Sequence, residues 1–170
     1  MIARLLAVLF ALCFTSAAEA QVFWSTPGSG CVPDEAAIKF DRHKADNLSV
    51  QHTPGNVDRI ILICPVLPFS SDATSWILDL TYQDSTGTGT AARVLAQLYR
   101  TEIGVAKPVP LATANSNSSA NTTFNSVNSA IFTHTFDFDT GLYWVRVELD
   151  RSATDQTVIF YYALLIGNVG

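Results

Sequence analysis

Apolar side chains recur at every second position along most of this chain, and that period admits one kind of fold. Trp76, Leu78, Leu80 and Tyr82 alternate with Ile77, Asp79, Thr81 and Gln83. Ala92, Val94, Ala96 and Leu98 alternate with Arg93, Leu95, Gln97 and Tyr99, and Tyr143, Val145, Val147 and Leu149 with Trp144, Arg146, Glu148 and Asp150. Successive side chains of a strand point to opposite faces, so a two-residue period buries one face of a sheet and leaves the other to solvent. Shorter runs repeat the rhythm: Ile38 and Phe40 opposite Lys39 and Asp41, Leu48 and Val50 opposite Ser49 and Gln51, and Phe132, His134, Phe136 and Phe138 opposite Ile131, Thr133, Thr135 and Asp137. Arg59 to Val66 is apolar on both faces, with Pro65 ending its pairing for want of an N–H, and Thr157 to Ile166 is almost wholly apolar.

Segment 92–99 is also compatible with a helix, since Ala, Leu, Arg and Gln are helix formers. Its unbroken core face and its strand neighbours favour a strand. Pro54-Gly55-Asn56, Ser85 to Thr90 with Gly87 and Gly89, and Gly141 mark turns. Val22 to Gly30, with Pro27, Gly28 and Gly30, reads as an irregular arm, and Pro108 and Pro110 close the region after Tyr99. Asn115 to Asn128 reads as a polar surface loop with room for one short edge strand at Thr122 to Val127. About eight strands without a βαβ rhythm predict an all-β fold, an antiparallel two-sheet β-sandwich. A jelly-roll-like arrangement is the first choice and an immunoglobulin-like one the second, because the cysteine pair lacks the Cys…Trp…Cys spacing of immunoglobulin domains.

Arg4, the apolar run Leu5 to Phe14 and the small-residue sequence Ala18-Glu19-Ala20 form the pattern of an export signal over residues 1–20. The apolar run is too short to span a bilayer, so the expected mature chain is a single domain over residues 21–170, secreted or periplasmic, with no membrane span after cleavage. Its charge is −5, nine basic residues against fourteen acidic. The basic residues are scattered, and the densest group, Lys39, Arg42 and Lys44, is interrupted by Asp41 and Asp46. No positive stripe follows a phosphate backbone or an anionic membrane, which argues against nucleic acid as a partner. Many aromatics and few charges argue against disorder.

Cys13 leaves with the signal, and Cys31 and Cys64 remain as an even pair in an oxidising compartment, so a disulfide is expected. Neither CxxC nor clustered histidine accompanies them to suggest a metal site. Cys31-Val32-Pro33-Asp34 and Ile63-Cys64-Pro65-Val66 together resemble a pattern in small uncharacterised exported proteins of proteobacteria, in which a CVPD start leads through a turn into a strand ending in CP. The resemblance covers Cys31 to Val66 and implies an extracytoplasmic β-rich domain with a structural disulfide; it brings no activity. Phe138 to Leu149 (FDTGLYWVRVEL) resembles the late hairpin of jelly-roll modules, carbohydrate-binding ones among them. That likeness concerns fold and is shared by enzymes, lectins and scaffolds.

The candidate site follows from the pleat. With Tyr143, Val145, Val147 and Leu149 in the core, Trp144, Arg146 and Glu148 face outward, and the same rule turns out Tyr99, Gln97 and Arg93, together with Asp79, Thr81 and Gln83. Three such strands in one sheet would present Trp144 and Tyr99 in a field of Arg146, Gln97 and Arg93. Rings flanked by amide and guanidinium groups suit a sugar, whose C–H face stacks while its hydroxyls take the polar groups. A loop or neighbours covering Trp144 is the plainer alternative.

Other constellations are weaker. Asp137 and Asp139, two residues apart, suit a turn cap, a calcium ion or a carboxylate pair, but no loop has EF-hand spacing. His134 alternates with phenylalanines, which predicts a buried ring bonded to backbone. His43 and His52 flank a short strand and can meet, though two histidines without a third ligand make a poor zinc site. No GxSxG or SxxK motif is present, and no cofactor motif. Asn47, Asn117 and Asn121 begin N-x-S/T triplets, read as turn and loop residues in a bacterial protein, whereas in a eukaryotic secretory pathway Asn117 and Asn121 would suit glycan attachment. The sequence thus favours an exported, non-catalytic ligand-binding module with a glycan partner. A structural or self-assembling envelope component is the alternative, with Thr157 to Ile166 apolar enough to pair with another chain if it forms an edge, and a small hydrolase ranks last for want of a nucleophile or metal pattern.

Overall fold

The segments with the strongest alternation form the long strands of the molecule. A computed structural model describes residues 19–34 and 42–169. Its strands, in chain order, are β1 (Glu19–Pro27), β2 (Val32–Pro33), β3 (His43–Ala45), β4 (Val50–His52), β5 (Ile60–Pro65), β6 (Ser75–Asp84), β7 (Ala92–Glu102), β8 (Val109–Asn115), β9 (Phe124–Asn128), β10 (Phe132–Thr133), β11 (Gly141–Arg151) and β12 (Val158–Val169). Most of the export signal and the Ile38/Phe40 pair lie outside the described residues.

The strands form two antiparallel sheets. One has five strands in the order β2-β5-β11-β7-β8. The other has seven: β10-β6-β12-β4-β3, with β1 also along β12 and β9 also along β6. The chain passes from one sheet to the other at β1–β2, β2–β3, β4–β5, β5–β6, β6–β7, β8–β9, β10–β11 and β11–β12. This crossing is what makes the sandwich jelly-roll-like. Between the sheets, Leu78, Leu80, Tyr82, Phe160 and Leu165 of the seven-stranded sheet meet Leu62, Val94, Ala96, Leu98, Val145, Val147 and Leu149 of the five-stranded one, all fully buried. Segment 92–99 is a strand, because its inward residues would leave the core if it coiled. The Cys31–Cys64 disulfide, with Cα atoms 4.4 Å apart, ties the residue before β2 to β5. Closing its loop contributes roughly 3–4 kcal/mol in the chain-entropy model.

Several expectations require correction. Val22 to Gly30 is not an irregular arm: residues 19–27 pair with β12, and a bulge between Val22 and Trp24 breaks the alternation that would have revealed the strand. Gly28, which ends it, is needed for close approach, since a Cβ there would sit 2.8 Å from the Phe160 carbonyl oxygen. Pro108 and Pro110 do not close the region, because Val109–Asn115 forms β8. That strand is at the edge, and a register shift opposite Leu98 and Tyr99 accommodates Pro110. Leu48 is exposed rather than paired with Val50 on the core face, because the Asp46 carboxylate accepts from the Leu48 and Ser49 N–H groups and curls the chain into a turn. The segment containing Thr157 to Ile166 is no edge: β12 lies between β6 on one side and β1 and β4 on the other.

Phe132, His134, Phe136 and Phe138 keep their alternation, but only Phe132 and Thr133 pair as a strand. The rest lies over one end of the sandwich, where Phe136 packs on Trp76 and Tyr143 with ring centroids 4.8 Å apart and Phe138 on Tyr143 at 5.0 Å. Trp76 Nε1 donates to the His134 carbonyl at 2.8 Å. The His134 ring nitrogen Nε2 bonds the Tyr143 hydroxyl at 3.1 Å, not the backbone.

Candidate functional site

Strands β11 and β7 lie side by side, and their register aligns the outward residues in rows across the sheet. Trp144 is opposite Tyr99, Arg146 opposite Gln97 and Asp150 opposite Arg93. On the other side of β11, Pro65 is opposite Trp144 and Ile63 opposite Arg146. Beyond β7, Pro110 is opposite Tyr99. Trp144, Tyr99, Arg146, Gln97 and Arg93 thus share one outer face. Asp79, Thr81 and Gln83 do not: β6 belongs to the seven-stranded sheet, so the same outward rule sends them to the opposite side of the sandwich.

The face divides into two halves along the strands. One half is a row of rings, Pro65–Trp144–Tyr99–Pro110, crossing four strands, about 14 Å at the usual interstrand spacing. The Trp144 and Tyr99 rings are nearly parallel, 17° apart with centroids at 5.7 Å, and both are partly exposed. The Tyr99 hydroxyl donates to Gln97 Oε1 at 3.2 Å, which fixes the phenol and leaves the Gln97 amide N–H groups to donate elsewhere. The two prolines were not read as part of the site. The signal for them was positional, each falling opposite an aromatic residue once register is known.

The other half is ionic. Glu148, only 5% exposed although on the outer face, is met by Arg146, by Arg93 Nη2 at 3.1 Å and by Arg59 Nη1 at 3.6 Å. Arg93 and Arg59 also hold Asp150. The Asp150 hydrogen bond and charge, with Glu148 behind them, push the Arg59 pKa further above its ordinary value. A recessed carboxylate among guanidinium groups keeps its charge compensated where water cannot reach it. Two of the five predicted contact residues, Arg146 and Arg93, are therefore engaged with Glu148 and Asp150.

The remaining candidates resolve into structure. Asp137 caps a turn, accepting from the Thr140 hydroxyl and from the N–H groups of Asp139 and Thr140; these bonds, the Thr140 hydroxyl foremost, hold its pKa below the usual carboxylate value. His43 and His52 do meet, as partners across β3 and β4. The buried His52 spends Nε2–H on the Asp58 carbonyl at 2.9 Å, and its Nδ1 is buried without a hydrogen-bond partner. Among the described residues, no three His, Cys, Asp or Glu side chains are grouped to hold a metal ion. Asn121 accepts from the Thr123 N–H and hydroxyl, as a turn residue does.

No protein-family model matches this sequence, and no curated protein does. Solved structures with a similar layout include a Stig cyclase, Fisc, from Fischerella sp. TAU in complex with an indole compound (10% identity, TM-score 0.49, covering 89% of this chain and 100% of that one). A family 29 carbohydrate-binding module from Piromyces equi is 13% identical with a TM-score of 0.42, covering 89% of this chain and 92% of that one. A family 11 carbohydrate-binding module from Clostridium thermocellum, in complex with a mixed-linked tetrasaccharide, is 9% identical with a TM-score of 0.44, covering 88% and 96%. Likeness at this level says nothing of what the present chain binds.

Proposed function

We propose that this chain is an extracytoplasmic, non-catalytic binding module that takes a glycan on the Pro65–Trp144–Tyr99–Pro110 row. The observation that carries the reading is the Trp144–Tyr99 pair itself: two nearly parallel, partly exposed rings held side by side by strand register. Sugar C–H faces stack on such rings, and Gln97 stands one row away to meet hydroxyls. The ionic half supports the platform. Glu148 and Asp150 are engaged by arginines, which favours binding over acid–base chemistry at this face. The leader-like residues 1–20 and the disulfide support the extracytoplasmic setting.

The test is affinity electrophoresis and a glycan array with the wild type, Trp144→Ala and Arg93→Gln. Trp144→Ala should weaken binding at least tenfold, since aromatic stacking dominates such contacts, and Arg93→Gln should change it much less. An array on which the wild type retains no glycan, or on which Trp144→Ala binds as well as wild type, ends the proposal.

A further inference from the structure

The opposite side of the sandwich carries a recess that the ring row does not use. On β6, Asp79 and Thr81 face away from the core, opposite Leu164 and Tyr162 of β12 and opposite Asn128 and Ser126 of β9. Despite facing outward, Asp79 is only 8% exposed and Thr81 1%. Both are short, and they lie at the bottom of an open groove of about 450 Å³ walled by Tyr162, Leu164, Ile166 and Phe124. Among the described residues that line it, Asp79 alone is charged. Its partners are hydroxyls: Thr81 Oγ1 donates to Oδ1 at 3.3 Å, and Ser126 supplies a second bond. Among the described residues no cation pairs with it.

We propose that this groove binds an organic ammonium ion carried on an apolar body, with the ammonium on Asp79 and the body against Tyr162, Leu164 and Ile166. A carboxylate taken out of water and given only hydroxyl donors is left under-compensated, and a ligand cation removes that deficit. Burial outweighs the Thr81 and Ser126 bonds and raises the Asp79 pKa, as expected of a charge still short of a partner. Tyr162 and Phe124 place aromatic rings in the lining, a residue type that attracts cations, and Leu164 and Ile166 favour a hydrocarbon over a fully hydroxylated ligand. An anion meets repulsion here, and a divalent metal finds a single carboxylate, since no three His, Cys, Asp or Glu side chains are grouped among the described residues. The groove's volume falls within the range of small-molecule sites. It lies on the other sheet from Trp144, so it stands independently of the glycan reading.

The experiment is an NMR titration of ¹⁵N-labelled protein with benzylammonium and with benzyl alcohol, its neutral counterpart, using the wild type, Asp79→Asn, Tyr162→Leu and Trp144→Ala. Benzylammonium should give saturable shifts centred on Asp79, Thr81, Ser126 and Tyr162, and benzyl alcohol should bind at least tenfold more weakly. Asp79→Asn, close in shape and relieved of a buried charge, should keep the wild-type spectrum and lose at least tenfold in affinity. Tyr162→Leu should lose affinity by a smaller factor, and Trp144→Ala should bind as wild type does. Equal binding of amine and alcohol, shifts centred on another surface, no saturation, or undiminished binding by Asp79→Asn each overturns the proposal.

Discussion

The two outer faces of this sandwich obey the same pleat and are built from opposite materials. Each carries one recessed carboxylate, Glu148 at 5% exposure on the five-stranded sheet and Asp79 at 8% on the seven-stranded one. Glu148 is surrounded by Arg59, Arg93 and Arg146. Asp79 has Thr81, Ser126 and an apolar wall. Alternation decides which way a side chain points, and the neighbouring strand decides what it meets there. On β11 the flanking strands deliver guanidinium groups, so burial of a charge is compensated within the chain. On β6 they deliver tyrosine, leucine and serine, so the compensation is left incomplete.

Removing each carboxylate gives the sharpest measure of that contrast. Glu148→Ala leaves Arg146 without its carboxylate and Arg59 and Arg93 with Asp150 alone, and should cost about 1–3 kcal/mol, below the range for a fully buried ion pair because the three arginines are partly exposed. Asp79→Asn should cost nothing or raise stability, because it deletes a desolvated charge without a cationic partner. Urea denaturation at neutral pH reads both. Losses of similar size for the two variants would erase the distinction between the faces.

Acid should separate the faces further, provided one other group is controlled. Burial foremost, with help from the Arg151 charge, lowers the His52 pKa from 6.5 to about 4. A histidine held neutral in the folded state contributes stability that is present above its unfolded pKa and is lost as the pH falls from 6.5 toward 4, roughly 3 kcal/mol at most. Asp79 has the opposite sign of effect. Its folded pKa is raised above 3.8, so the penalty it imposes when ionised is relieved as the pH falls through the folded value. In a His52→Asn background, the stability advantage of Asp79→Asn should therefore be greatest near neutrality and fade in acid. An advantage that stays constant from pH 7 to pH 3 would mean that Asp79 is not an under-compensated charge.

Much of this arrangement is legible in the residues, and the limit is physical. The long strands β6, β7 and β11 follow from alternation alone, because each buries one full face and their inward residues are near-completely enclosed. Membership of Trp144, Tyr99, Gln97, Arg93 and Arg146 in one face also follows, since β7 and β11 happen to pair. Asp79 was placed with them because alternation carries no information about which strands are neighbours, and the chain changes sheet between β6 and β7. The strands β1 and β8 escape the rhythm for local reasons, a bulge in one and Pro110 in the other. The Phe132 to Phe138 segment errs the other way. Its rhythm reflects burial of one side against an aromatic cluster, which an extended chain can do without ladder bonds.

The smallest expected effect concerns the ring pair, and it asks whether the aromatic half of the five-stranded face is built as a platform or merely assembled by register. Cross-strand aromatic partners contribute roughly 0.5–1 kcal/mol beyond the area each buries. Trp144→Ala and Tyr99→Ala, measured singly and together by urea denaturation, should yield a coupling energy in that range, because the rings lie 17° from parallel with centroids 5.7 Å apart. Phe124 and Tyr161 on the seven-stranded face supply the contrast: their rings meet edge to face at 5.0 Å, and Phe124 is 56% exposed. Exposure lets water compete for that contact, so its coupling should be the weaker of the two. If the Trp144–Tyr99 cycle instead closes to zero, the two rings stand side by side without supporting one another, and the five-stranded face loses its claim to a preorganised stacking surface.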